Sequence, residues 1–136
     1  MTGHVYARVC LLFVAAVTAI GCQGDYKTLR FRPVDTTSQL TLSEVKVLVG
    51  KPGQGGAVKG VTNEHGQVDV TNLKAGDVVT LVKEGYEIAV IKLGYGKYSQ
   101  RSPASQVKAK EFSVGDGDAI PVPLHRTGQV RRNNDK

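Results

Sequence analysis

Between Thr62 and Glu87 the chain reads TNEHGQVDVTNLKAGDVVTLVKEGYE, turn residues alternating with short apolar runs, a pattern that suits strands and little else. Asn63-Glu64-His65-Gly66 is a turn: an Asn side chain bonds its own backbone, and Gly66 takes positive φ without steric cost. Gln67 to Thr71 alternates polar and apolar residues at the strand period, which predicts one wet face and one buried face. Leu73 falls in the next connection and is expected to plug the end of the core. Ala75-Gly76-Asp77 is a second turn. Val78 to Val82 is β-branched and apolar on both faces, as suits a central strand. Lys83-Glu84-Gly85-Tyr86 closes the unit, with Gly85 again suited to positive φ.

The flanks continue in the same manner. Leu29–Val34 predicts a first strand with Phe31 inward, Arg30 and Arg32 outward, and Pro33 at an edge or strand end. Ser43–Val49 alternates, placing Val45, Val47 and Val49 on one face. Gly50–Gly56 is a glycine-rich hairpin loop, and Ala57–Val61 is a short strand leading into the central stretch. Ile88–Leu93 is a strand, Gly94–Ser105 a long loop, and Val107–Val114 a strand with Lys108 and Lys110 on its wet side. Gly115 to Asp118 is a tight turn, and Ile120–Leu124 is the last strand. Pro121 and Pro123 put both missing N–H groups on one edge of it, which blocks further pairing and protects against edge-to-edge aggregation. No stretch shows a helical period.

The pattern T-N-x-x-G-x-V-x-V-x-x-L-x-x-G-D-x-V-T-L-x-x-x-G-Y resembles the carboxypeptidase regulatory-like domains, small β-sandwiches of the transthyretin (prealbumin) type. Thr62, Gly66, Val68, Val70, Leu73, Gly76, Leu81, Gly85 and Tyr86 carry the likeness, which covers residues 43–93. Asn63 stands where Asp is common, and either serves the turn. The resemblance implies an all-β chain: a small antiparallel Greek-key β-sandwich of about seven strands. It implies no activity, since folds of this kind host many functions. Transthyretin-related hydrolases share the broad fold, but their C-terminal Tyr-Arg-Gly-Ser signature is absent from HRTGQVRRNNDK.

Met1–Gly21 is expected to be a targeting segment. Arg8 lies in a short n-region, and Val9 to Ile20 is an uncharged apolar run too short for a comfortable membrane span. It ends at Ala19-Ile20-Gly21-Cys22, which resembles a bacterial lipobox. The resemblance implies cleavage before Cys22, diacylglycerol on its thiol and a membrane anchor. Ordinary secretion, with Cys22 a bystander, is the other reading, and a membrane helix is a third. Gln23 rather than Asp after the cysteine points, by likeness to enteric lipoproteins, to the outer membrane. Cys10 leaves with the leader, so the mature domain has no disulfide and is held by packing. The expected organisation is a signal over 1–21, a lipidated cysteine and short tether over 22–28, the sandwich over 29–125 and a basic disordered tail over 126–136.

Catalytic and metal chemistry find little to work with. His65 with Glu64 and Asp69 lacks both metal-ligand spacing and a second nearby histidine, so it reads as an exposed turn residue. Asp116-Gly117-Asp118 is a fragment of a calcium loop without the remaining oxygen ligands. GKPGQGG has no Gly-Lys-Ser/Thr run entering a helix, so it holds no phosphate. No nucleophile stands beside a base, so we expect no enzyme and no cofactor. The candidate binding surface is the Gly94–Ser105 loop, where Tyr95 and Tyr98 interleave with Lys97 and Arg101; tyrosines stack on sugar rings and the cations meet acidic groups. The formal net charge of +6 favours anionic envelope partners such as acidic polysaccharide, while nucleic acid is not expected there. The leading expectation is a non-catalytic envelope protein that binds or scaffolds a partner through edge strands and this loop. A carbohydrate-binding module and an enzyme accessory subunit are the alternatives.

Overall fold

The computed structural model describes residues 25–52 and 56–128. The expected signal segment, Cys22 and the residues beyond Gly128 lie outside that range. Nine strands form among the described residues, rather than about seven, and no helix is present among them. They are β1 (Asp25–Asp35), β2 (Lys46–Gly50), β3 (Ala57–Val61), β4 (Val68–Lys74), β5 (Val78–Val82), β6 (Ala89–Leu93), β7 (Lys97–Arg101), β8 (Lys110–Ser113) and β9 (Ala119–Leu124). A three-stranded sheet in the order β4-β1-β9 packs on a six-stranded sheet in the order β3-β2-β5-β6-β7-β8. Neighbouring strands are antiparallel with one departure from expectation: β1 and β9 run parallel, Arg30 opposite Ala119 through Asp35 opposite Leu124.

The sandwich interior is filled by the inward positions of both sheets. Leu29, Phe31, Val45, Val47, Val79, Leu81, Ile91, Ile120, Val122 and Leu124 are fully buried, each contributing about 1.5–3 kcal/mol of apolar transfer against the entropy of ordering the chain. Phe31 points in and Arg30 and Arg32 point out, as the alternation predicts. Leu73 is buried too, but inside β4 rather than in a connection. The central stretch behaves as read, and its turn residues have visible work. The Asn63 side chain accepts from the His65 and Gln67 amides at 2.9 and 3.1 Å. Gly66 holds φ 73°, and a Cβ there would lie 2.5 Å from Thr41 Cβ. The Thr62 hydroxyl, buried between strands, accepts from Val45 N at 2.9 Å and donates to Leu42 O at 2.8 Å.

Two expectations about β1 are corrected. The strand begins at Asp25, so residues assigned to a polar tether are part of the sheet. Tyr26 is buried, and its hydroxyl donates to Gly94 O at 2.5 Å and accepts from Gly96 N at 3.0 Å. Of the two places expected for Pro33, the edge fails, because β1 is the central strand of its sheet, and the strand end fits, because β1 stops two residues later. The ladder to β4 has already ended at Phe31–Val68, so the missing N–H falls where no partner strand remains, and Pro33 O accepts instead from Leu42 N at 2.9 Å.

The sheets are unequal in width, and this places the candidate site. β4 packs near β3 and β9 near β6. β7 and β8 therefore project past β9, and their inner face is left partly uncovered.

Candidate functional site

The uncovered inner face of β7 and β8 meets the outer side of β9 in a groove of about 600 Å³. Tyr98 and Gln100 from β7 and Lys110, Phe112 and Ser113 from β8 line it on one sheet, Val34, Pro121 and Pro123 on the other, with Thr36 and Gln39 beside them. Tyr98 and Phe112 are directly opposite in the β7–β8 ladder, and their rings stack with centroids 5.1 Å apart and planes inclined by 21°. Phe112 keeps 42% of its surface exposed, although it sits in a strand.

Two polar groups in this wall are unusual. Gln100 is only 8% exposed and Tyr98 5%, yet neither the Gln100 amide nor the Tyr98 hydroxyl has a hydrogen-bond partner among the described residues. Every fully buried side-chain polar atom among those residues is satisfied, so these two groups reach the groove itself. Burial pushes the Tyr98 hydroxyl above its usual titration range, so it is a protonated donor at neutral pH.

The opposite wall carries the proline edge. Asp118 O and Leu124 O accept from Arg30 N and Thr36 N at 3.0 and 3.1 Å, so the even-numbered residues of this segment face β1 and the odd-numbered ones face away. Pro121 and Pro123 are therefore on the free edge, as the sequence predicts, and the Pro123 carbonyl is taken by the Ser102 hydroxyl.

The sequence-predicted binding residues do not converge. Gly94–Ser105 is not one loop, because β7 runs through it. Strand alternation separates its residues: Tyr98 faces the groove, while Lys97 and Arg101 lie on the other face of the strand. Tyr95 sits in the preceding turn, 77% exposed. The strand expected over Val107–Val114 is only Lys110–Ser113, and Val107 is exposed outside it. Gln100, Lys110 and Phe112 do not stand out as binding residues in the sequence; Gln100 in particular reads as a solvated loop residue.

The other polar candidates resolve into structural parts. His65 is exposed, 3.8 Å from Glu64, and Asp69 pairs with Arg30 at 2.8 Å instead. Asp118 accepts from Gly115 N at 2.7 Å and closes a tight turn, and Asp116 ties that turn to β1 by accepting from Thr28 N at 3.0 Å. No group of three His, Cys, Asp or Glu side chains is placed to hold a metal among the described residues.

A buried ionic centre lies at the far end of β1. Asp35 is 2% exposed and accepts from Thr37 N at 2.7 Å, Tyr86 Oη at 2.7 Å and Arg126 Nε at 2.9 Å. Desolvation favours the neutral acid, but the Tyr86, Arg126, Thr37 and Ser38 hydrogen bonds together outweigh it and lower the Asp35 pKa to about 2. The Asp35 carboxylate in turn raises the titration of Tyr86. Arg126, assigned by sequence to the basic tail, thus belongs to the fold; it also forms an antiparallel bridge with Tyr86. Its guanidinium locks the last described turn onto the first strand.

No protein-family model matches the chain, and no curated protein sequence matches it. Among solved structures it is similar to the group B streptococcus pilus 2b backbone protein, with 14% identity and a TM-score of 0.40. The match covers 78% of this chain and 43% of that one, so the chain spans less than half the length of that structure.

Proposed function

We propose that this is an exported, non-catalytic binding module of the bacterial cell envelope, held to a membrane by lipid on Cys22 and presenting the groove beside β9 to its ligand. The observation that carries the binding role is the pair of unpartnered polar groups, Gln100 amide and Tyr98 hydroxyl, beside stacked rings on an uncovered sheet face. Both groups open onto the groove with no protein partner taking them, so a ligand lying there meets a donor and acceptor amide and a hydroxyl that are free to bond it. The exported location is supported by the apolar run ending in Ala19-Ile20-Gly21-Cys22, and the outer membrane by Gln23. The domain is read as carboxypeptidase regulatory-like on the residues of the Thr62–Tyr86 pattern, whose Thr62, Gly66 and Tyr86 hold turns and buried hydrogen bonds.

Strand addition to a partner is hindered at two of the four sheet edges. The β9 edge lacks two donors, and the β3 edge carries Lys59 and a register shift opposite Val47 and Leu48. Co-sedimentation of the full chain, solubilised in detergent, with purified envelope polysaccharide and peptidoglycan tests the groove. A Gln100→Leu/Phe112→Ala variant with unchanged circular dichroism is expected to lose capture; retained capture would remove the groove from consideration. Cys22→Ala is expected to move the protein from the membrane fraction to the soluble one.

A further inference from the structure

The groove also restricts what the ligand is. Resting on the binding role proposed above, we infer that it takes a carboxylate-bearing polysaccharide, one pyranose ring lying on Phe112 with its hydroxyls on Gln100 and Tyr98 and its carboxylate at Lys110. Three observations lead there. First, the β9 wall cannot supply a main-chain ladder, because Pro121 and Pro123 present no N–H to the groove; an extended peptide read by backbone bonding has no register to adopt. Along that wall the ligand is read by side chains. Second, those side chains are a half-exposed aromatic face flanked by an amide, which both donates and accepts, and by a hydroxyl. A pyranose has the complementary make-up, with C–H groups on its faces and hydroxyls around its rim. Third, the lining includes one formal charge, Lys110, and no Asp or Glu. Arg32, exposed and free of ion pairs among the described residues, stands opposite Pro121 on the same outer face of the sheet. An acidic sugar matches that charge and a neutral one leaves it unused.

The test titrates the full chain in detergent with a hexameric oligogalacturonate and with cellohexaose, a neutral oligomer of the same length. Calorimetry is read together with the NMR shifts of the Gln100 side-chain amide. The acidic oligomer is expected to bind more tightly and to shift that amide. Lys110→Gln is expected to weaken it about tenfold, as loss of one charge-assisted hydrogen bond does, and to erase the preference over the neutral oligomer. Lys97→Gln removes the same charge from the opposite face of β7 and is expected to change nothing. Equal weakening by Lys97→Gln and Lys110→Gln overturns the inference, since the general basic surface is then responsible. Binding of cellohexaose alone, with the amide shifting, overturns the acidic assignment and leaves the binding role standing. Failure of both oligomers to bind overturns the inference. If Gln100→Leu/Phe112→Ala also leaves envelope capture unaltered, the binding role fails with it.

Discussion

Replacing Asp35 with asparagine tests whether the ionic centre at the end of β1 is held as the geometry indicates. The folded carboxyl titrates at about 2 against an ordinary 3.8, a difference that converts to about 2 kcal/mol at 1.36 kcal/mol per unit. The Arg126 side chain is 50% exposed, so solvent screens part of this and about 1–2 kcal/mol remains. The sign follows from proton counting. Between roughly pH 4 and pH 2 the unfolded chain carries a proton on Asp35 that the folded chain does not, so stability falls as pH falls through that window and is fully present above it. The amide of the Asp35→Asn variant cannot titrate, and its NH₂ group faces the Tyr86 and Arg126 donors where a carboxylate oxygen was. We therefore expect the variant to lose about 2–3 kcal/mol at neutral pH. Urea unfolding of both proteins at a series of pH values provides the measurement. The gap between them should narrow by about 1–2 kcal/mol on going down to pH ~2, because the wild type gives up there what the variant never had. A gap that stays constant over that range would show that these donors do not hold Asp35 ionised, and the account of the clamp would fail.

Three further outcomes follow from the fold. A chain stopped after His125 loses the Arg126 guanidinium and the Thr127–Gly85 bonds and should melt at a lower temperature than the full chain, measured by calorimetry. Gly66→Ala and Gly85→Ala share the strain of positive φ, about 1 kcal/mol, but only the first meets a neighbour, Thr41 Cβ at 2.5 Å, against open space at Gly85; Gly66→Ala should therefore cost about 1–3 kcal/mol more in urea unfolding. Pro121→Ala/Pro123→Ala restores two N–H groups on the free edge of β9 and should produce concentration-dependent association by size-exclusion chromatography; a strictly monomeric variant would show that the prolines do not guard that edge.

The central hairpins were legible because local chemistry dictates them: Asn63 and Gly66 fix a turn, and Val68 and Val70 alternate as a half-buried strand must. The start of β1 was not. Its buried positions run Tyr26, Leu29, Phe31, and β4 opposite has the same uneven step, Val70 to Leu73, with Asn72 at φ 59° between them. An irregularity shared by paired strands erases the period from both sequences at once. β7 was hidden for a different reason. Gln100 faces inward, so the stretch from Lys97 to Arg101 shows one apolar inward residue instead of two and looks like solvated loop. The same residue that disguises the strand is the one aimed into the groove. The groove itself is a difference in width between two sheets, and the parallel pairing of β1 with β9 joins segments at opposite ends of the described chain. Neither is written in any local window.

That parallel pairing sets how the domain bears load. Because β1 and β9 run side by side in the same direction, the start of the first and the finish of the last lie at opposite ends of their shared ladder. Tension applied between the two termini then draws the strands lengthwise past one another, and the rungs from Arg30–Ala119 to Asp35–Leu124 are stressed together rather than opened one at a time. Arg126 on Asp35 and Asp116 on the Thr28 amide brace that ladder near its two ends. A domain anchored ahead of β1 and pulled from beyond β9 would be a mechanical link that yields all at once or not at all.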